Sequence, residues 1–301
     1  MKVLVLLVVA LLSMGCTAST TTKSDAAAEN ESVLLADSVI STENATFSPR
    51  YVYEIPVPKG YERVLETDST SFEYYLQHLP LMPQGTPVHY YDGGISDLTN
   101  VSYAVIDGFD LGNRDLQQCA DFVIRLRAEW LYSQKRYNDI AFHFTNGWLC
   151  EYKHWAEGER VAVNGNKTSW YKTNKGVDYS YKTFREYLDI VFNYAGTLSL
   201  SKELVGSNIK TGTVFINGGS PGHAAIVVDY AKSTNPNSDS RHLFVVAEGY
   251  MPAQDPHIIL NTYSYSSIVT PWFGYDQLES EGDYYYFPTY CFSFGSTKRF
   301  R

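Results

Sequence analysis

Apolar positions are distributed along the chain in three regimes. They run unbroken from Val3 to Leu12, thin out through about Thr46, and from residue 48 onward recur with short periods. Tyr51 to Pro58 reads as extended, its prolines suiting an edge strand or an entry segment. Ser69 to His78 reads as a short helix with Thr70 and Glu73 as a capping box, followed by a Pro/Gly-broken loop from Leu79 to Val88 and a strand from Val101 to Ile106. The strongest helical pattern covers Asp115 to Tyr132, where Cys119, Val123, Leu126 and Trp130 form one stripe. Ile140 to Phe144 alternates as a strand does, and Asn164 to Asp178 is polar enough to read as a loop. Thr183 to Tyr194 predicts a second helix, with Thr183 and Glu186 as a capping box and Gly196 as its stop. Strands follow at Gly212 to Asn217, His223 to Tyr230, Leu243 to Glu248, His257 to Leu260 and Tyr290 to Phe294. Helices first and antiparallel-looking strands later is an α+β pattern, and with no internal linker or repeat it predicts a single domain over residues 48–301.

The N-terminal regime predicts export. Lys2 precedes the ten-residue apolar run, which is too short for a mature membrane span but suits the core of a signal peptide over residues 1–15. Ser13-Met14-Gly15-Cys16 then resembles a lipobox, which implies diacylation of Cys16 as the mature N-terminus. Residues 16–47, rich in Ser, Thr, Ala, Glu and Asn, read as a solvated tether. The expectation is a cell-envelope lipoprotein bound to a bacterial membrane through lipid on Cys16, on the outer membrane facing the periplasm.

Composition narrows the function classes. With 301 residues, 44% hydrophobic, and 25 Tyr, 15 Phe and 5 Trp, the chain can bury a sizeable core. A formal charge of −9 argues against a nucleic-acid partner, which would need a basic face. Four cysteines make no disulfide scaffold, although Cys150 and Cys291 could pair in an oxidising periplasm. No cofactor is implied. His143, Cys150 and His154 are too loosely spaced for a compact zinc motif, so no metal site is expected.

Three residues carry candidate chemistry. Asp115 as N-cap, with Gln118 reaching back, would set Cys119 in the first turn of the long helix, where the positive end of the helix dipole favours a thiolate nucleophile. The carboxylates of Asp115 and Asp121 oppose that charge, and the apolar stripe offers the alternative of a core cysteine. The Gly218-Gly219-Ser220-Pro221-Gly222 turn delivers His223 to the start of an apolar strand, with a ring nitrogen available for proton transfer. Glu248 closes the next strand, and if the two strands pair it can orient the imidazole as the third member of a triad. The backbone N–H of Cys119, with Gln117 or Gln118, would hold an oxyanion.

The order Cys on a helix N-terminus, His at a strand start and acid at the next strand's end resembles the papain-like NlpC-type and CHAP-type hydrolases. Gly212-Thr213-Val214-Phe215 and Gly222-His223 stand for their characteristic strands, with Thr213 in place of the usual Asp. That resemblance implies a papain-like helix packed on a mostly antiparallel sheet, and hydrolysis of amide bonds in cell-wall peptide. A second resemblance spans nearly the whole domain. It rests on Pro83 to Val88, Asn113 to Asp121, Phe144 to Gly147, Tyr194 to Leu200, Gly218 to Ala224 and Tyr250 to Gln254. These segments resemble a family of Bacteroidota lipoproteins, the domain of unknown function numbered 4846, in which Gln is expected where Glu248 stands.

Two function classes follow. One is a lipid-anchored cysteine hydrolase with Cys119 as nucleophile, His223 as base and then acid, and Glu248 orienting it. The other is a binding or scaffolding lipoprotein. In both, Trp148 and Trp155, with Trp170, Tyr152, Tyr171 and Arg160, are the candidates to line a sugar- or peptide-binding groove.

Overall fold

Ala224 to Val228 are fully buried, so this run lies at the centre of a sheet covered on both faces. The computed structural model describes residues 48–235, 242–263, 270–274 and 284–301. The expected signal peptide, Cys16 and the tether lie outside the described residues, as do residues 236–241 of the polar loop between the His223 and Leu243 strands.

The elements in chain order are β1 (Tyr61–Arg63), α1 (Phe72–Gln77), β2 (Ser102–Val105), α2 (Cys119–Ser133), β3 (Ala141–His143), β4 (Leu149–Glu151) and α3 (Tyr152–Ala156). Then follow β5 (Glu159–Asn164), β6 (Lys167–Lys172), α4 (Tyr181–Tyr194), α5 (Thr197–Glu203), β7 (Val205–Gly206), β8 (Val214–Asn217) and β9 (His223–Ser233). The last are β10 (His242–Glu248), β11 (His257–Ile259), β12 (Trp272–Gly274), β13 (Tyr284–Tyr286), β14 (Cys291–Ser293) and β15 (Thr297–Arg299). Among the described residues nine strands form one sheet in the order β2-β11-β10-β9-β8-β15-β7, with β1 added to β9 and β12 to β10. Its pairings are antiparallel, and Ser48–Arg301 forms one compact unit. The protein is therefore α+β and mostly antiparallel. No described helix is long and apolar enough to cross a membrane.

Period-two alternation sorts the strand residues to two faces. Val214, Ile216, Ala224, Ile226, Val228, Val245 and Ala247 join the core shared with α1, α2, α3, α4 and α5. Phe215, Ala225, Val227, Phe244 and Val246 join a smaller aromatic core on the other face, closed by Phe287 and Phe292 near the β13–β14 hairpin. This division keeps Cys150 and Cys291 on different sides of the sheet: Cys150 lies in the first core, whereas β14 covers the opposite face.

Several local expectations are corrected. Tyr51 to Pro58 contains a 3₁₀ turn at Val52–Glu54, because Val52 and Ile55 are both fully buried and a three-residue period brings them to one side. α1 is capped by Ser71, which accepts the Tyr74 N–H at 3.0 Å, while Thr70 turns to Asp68. α4 starts earlier, on Ser180 as N-cap, and Thr183 bonds Asp178. Gly196, expected as the stop of that helix, is also the N-cap of α5, a helix the sequence pattern does not predict. Residues 164–178 are not all loop: β6 pairs with β5 as a hairpin whose turn is made by Gly165 at φ +58°. Its strands are polar because they are largely solvated.

Candidate active site

The first helical residue of α2 is Cys119, with Gln118 as N-cap; Asp121 Oδ2 accepts the Gln118 N–H at 3.1 Å. Asp115 is not the cap. Its Oδ1 accepts from Gln118 Nε2 at 3.0 Å and from the Ala253 N–H at 2.6 Å, tying the start of α2 to the loop after β10. Gly249 permits that approach, since a Cβ there would stand 3.0 Å from Phe122 Cβ and 3.2 Å from the Gln118 carbonyl oxygen. Cys119 itself is half-buried.

His223 opens β9, opposite Asn217 of β8. Gly222, the residue before it, is required sterically: a Cβ would run into Thr197 Oγ1 and would stand 2.8 Å from the Asn217 carbonyl oxygen. His223 is 3% exposed, and its Nε2 lies 2.7 Å from Glu248 Oε2. The Cys119 side chain neighbours the ring and raises its pKa, and the ring's Nε2 is taken by Glu248. Tyr250 and Tyr290 flank the imidazole with ring centroids 5.0 and 4.8 Å away, and Phe292 adds a third ring at 5.7 Å.

Glu248 ends β10 and is fully buried. Besides His223, it accepts from Thr289 Oγ1 at 3.1 Å, and its Oε1 lies 3.5 Å from His257 Nε2. His257 is also fully buried and faces Glu248 as its direct partner across the β10–β11 pairing. Burial opposes the charged form of both His223 and Glu248, yet their partners prevail. Hydrogen bonds to Cys119 and Glu248 raise His223 to about 9. The hydrogen bond from His223 and the nearby His257 ring lower Glu248 to about 2. At neutral pH the pair is an imidazolium beside a carboxylate. Burial, against the Gln118 N–H, raises Asp121 well above the usual carboxylate range, which weakens the negative charge set near Cys119.

Thus Cys119, His223 and Glu248 converge, and His257, Thr289, Tyr250 and Tyr290 complete their surroundings. None of those four stands out as a functional residue in the sequence. The available signal was His257, which opens a short apolar strand as His223 does. Gln117 and Gln118 stand at the start of α2 beside Cys119: Gln117 is buried with its Oε1 on Arg125 Nη1 and its Nε2 without a hydrogen-bond partner, whereas Gln118 Nε2 donates to Asp115 Oδ1. The tryptophans lie apart. Trp148 packs on Phe144 and Trp170, and Trp155 on Tyr187 beneath Arg160. They belong to the helical core and its rim, not to the Cys119 surroundings. His143 engages Glu203, and His154 engages Glu151 and Glu159, as separate pairs.

The chain matches the family described as domain of unknown function (4846) over residues 52–299. It belongs to that family. No curated protein and no solved structure matches the chain. All the convergent groups of this member of family 4846, from Cys119 to Thr289, lie inside the matched span.

Proposed function

We propose that this chain is a lipid-anchored cell-envelope protein and a papain-like cysteine hydrolase of amide bonds, with cell-wall peptide as the substrate class. The reading is carried by one observation: a half-buried cysteine at the first position of a helix neighbours a buried histidine that is ion-paired to a buried glutamate. The papain-like and lipoprotein resemblances of the sequence support the same reading. In this mechanism Cys119 sulfur attacks the amide carbonyl carbon, forming a C–S bond and an oxyanion. The Cys119 N–H, which at the first helical position has no partner within the helix, faces that oxyanion. Collapse breaks the C–N bond while the His223 imidazolium gives its proton to the leaving amine. Neutral His223 then takes a proton from water as its oxygen attacks the thioester, and the acid product and thiolate separate. Glu248 holds the ring and its charge throughout.

The test is digestion of purified peptidoglycan and of short amide-linked peptides, followed by detection of newly released amines. Cleavage by the wild type and none by Cys119→Ala supports the reading, and no cleavage by either overturns it. The alternative, a non-catalytic binding module, is favoured by the position of two cavities, one lined by Trp130 and one by Trp155, neither lined by Cys119.

A further inference from the structure

β11 brings a second histidine to the site. His257 and Glu248 are direct partners across the β10–β11 pairing, and both are fully buried. His257 Nε2 lies 3.5 Å from Glu248 Oε1, the carboxylate oxygen that His223 does not use. Neither atom has a hydrogen-bond partner among the described residues, so each is left facing the other. The ring is fixed at its far edge, where Nδ1 stands 3.2 Å from the Asp255 carbonyl oxygen. Asp255 is itself tied down, because its carboxylate accepts the His89 N–H at 2.9 Å. The imidazole therefore has one edge anchored on a loop and the other aimed at Glu248.

Glu248 needs such a neighbour. Its Oε2 is occupied by His223 at 2.7 Å and by Thr289 Oγ1 at 3.1 Å, whereas Oε1 has His257 alone within ion-pair distance among the described residues. A buried carboxylate with one oxygen against hydrocarbon is driven toward its neutral form, and a neutral Glu248 holds an imidazolium only weakly. The titratable groups that face Glu248 are His223 from β9, His257 from β11 and Tyr250 just past β10. Tyr250 does not bond it, since its hydroxyl donates to the Thr289 carbonyl oxygen at 3.2 Å. We propose that His257 is a positioning residue, which holds Glu248 Oε1 and so keeps Oε2 set on His223. Its catalytic consequence rests on the hydrolase reading, because His257 acts on Cys119 only through Glu248 and His223.

The test uses the full chain with nitrogen-15 in its histidine rings and reads the pH titration of His223 by NMR, with His223→Ala assigning the signal. The wild-type midpoint is expected at about 9. His257→Leu leaves Oε1 against hydrocarbon, so the midpoint should fall by about one pH unit as Glu248 loosens its hold. His257→Asn keeps an amide for Asp255 but falls short of Glu248, and should do the same. His257→Gln sets an amide N–H where Nε2 stands and should restore most of the shift. If His257→Leu does not fold, the Asn and Gln variants decide. In a Glu248→Gln background, His257→Leu should move the titration no further, because the group it acts through is already altered. The alkaline limb of hydrolysis should move with the titration. A midpoint unmoved or raised by His257→Leu and His257→Asn overturns the proposal, as does equal behaviour of the Asn and Gln variants or a full shift added to that of Glu248→Gln. A wild type that cleaves no amide overturns the hydrolase reading instead, and the titration still decides whether His257 holds Glu248.

Discussion

His223 is the residue on which the proposed chemistry turns, because it has both the Cys119 side chain and the Glu248 carboxylate as neighbours. Its imidazolium is the acid of the first step, so hydrolysis by the wild type should decline as pH rises through about 9. Glu248→Gln keeps an oxygen for Nε2 but removes the charge. The alkaline limb should then move toward neutral pH with activity reduced but retained, as measured by pH–rate profiles of both proteins. His223→Ala should lower iodoacetamide labelling of Cys119 at pH 7 by at least about tenfold, since the thiol loses its only charged partner in the triad. A Cys119 that is unreactive in the folded wild type supports the core reading instead. The ion pair also predicts a stability profile. His223 rises from 6.5 to about 9, so its contribution is complete below 6.5 and is lost toward 9. Glu248 falls from 4.5 to about 2, so its contribution is complete above 4.5 and is lost as pH drops toward 2. The difference in thermal midpoint between wild type and Glu248→Gln should therefore be greatest between pH 4.5 and 6.5.

At the scale of elements, two glycines set how closely the helix and strands approach. Gly222 brings β9 against the start of α5, and Gly249 brings the end of β10 against the start of α2. Neither has a positive φ, so the requirement is space and not backbone conformation. Gly249→Ala must displace Phe122 or the Gln118 carbonyl, and overpacking of this kind costs about 1–3 kcal/mol. The expected result is a lowered denaturation midpoint together with slower Cys119 labelling, because the displaced element carries the nucleophile. A midpoint that falls with labelling unchanged would separate the helix position from the site. The glycine-rich turn before His223 was legible in the sequence. The need for Gly249 was not, since its neighbours Gln118 and Phe122 come from an element more than a hundred residues away.

The whole molecule is organised by a sheet covered on both faces, and that burial places one carboxylate far from water. Asp229, inside β9 and fully buried, accepts from Arg63 Nε at 2.7 Å and from Gln77 Nε2 at 2.9 Å, joining β1, α1 and β9. Burial raises its pKa, and Arg63 opposes the rise. Arg63→Ala would leave the buried carboxylate uncompensated, at a cost of about 3–5 kcal/mol by denaturant unfolding. Adding Asp229→Asn should recover part of the loss. At the same scale, the proposed lipid anchor predicts that Cys16→Ala releases the chain from membrane fractions and abolishes palmitate labelling. Unchanged fractionation and labelling would remove the lipoprotein reading.

Local patterning determined much of this protein. Apolar runs and glycine stops placed α2, α4 and the strands β8 to β11 to within a few residues, because helix and strand periods depend only on neighbours along the chain. The same local signals isolated Cys119, His223 and Glu248 as candidates. Polar segments were misread where solvation hides a strand, as in β5–β6, or where a nearby side chain offers a competing cap, as with Ser71 and Ser180. Tertiary structure alone decided which candidates meet. Register across β10 and β11 puts His257 on Glu248, and the β14 hairpin brings Tyr290 and Phe292 to His223. Packing turns Gln117 toward Arg125 and keeps Trp148 and Trp155 with the helices. Such contacts are set by which strand lies beside which and by how closely backbones approach, quantities that spacing along one chain does not encode.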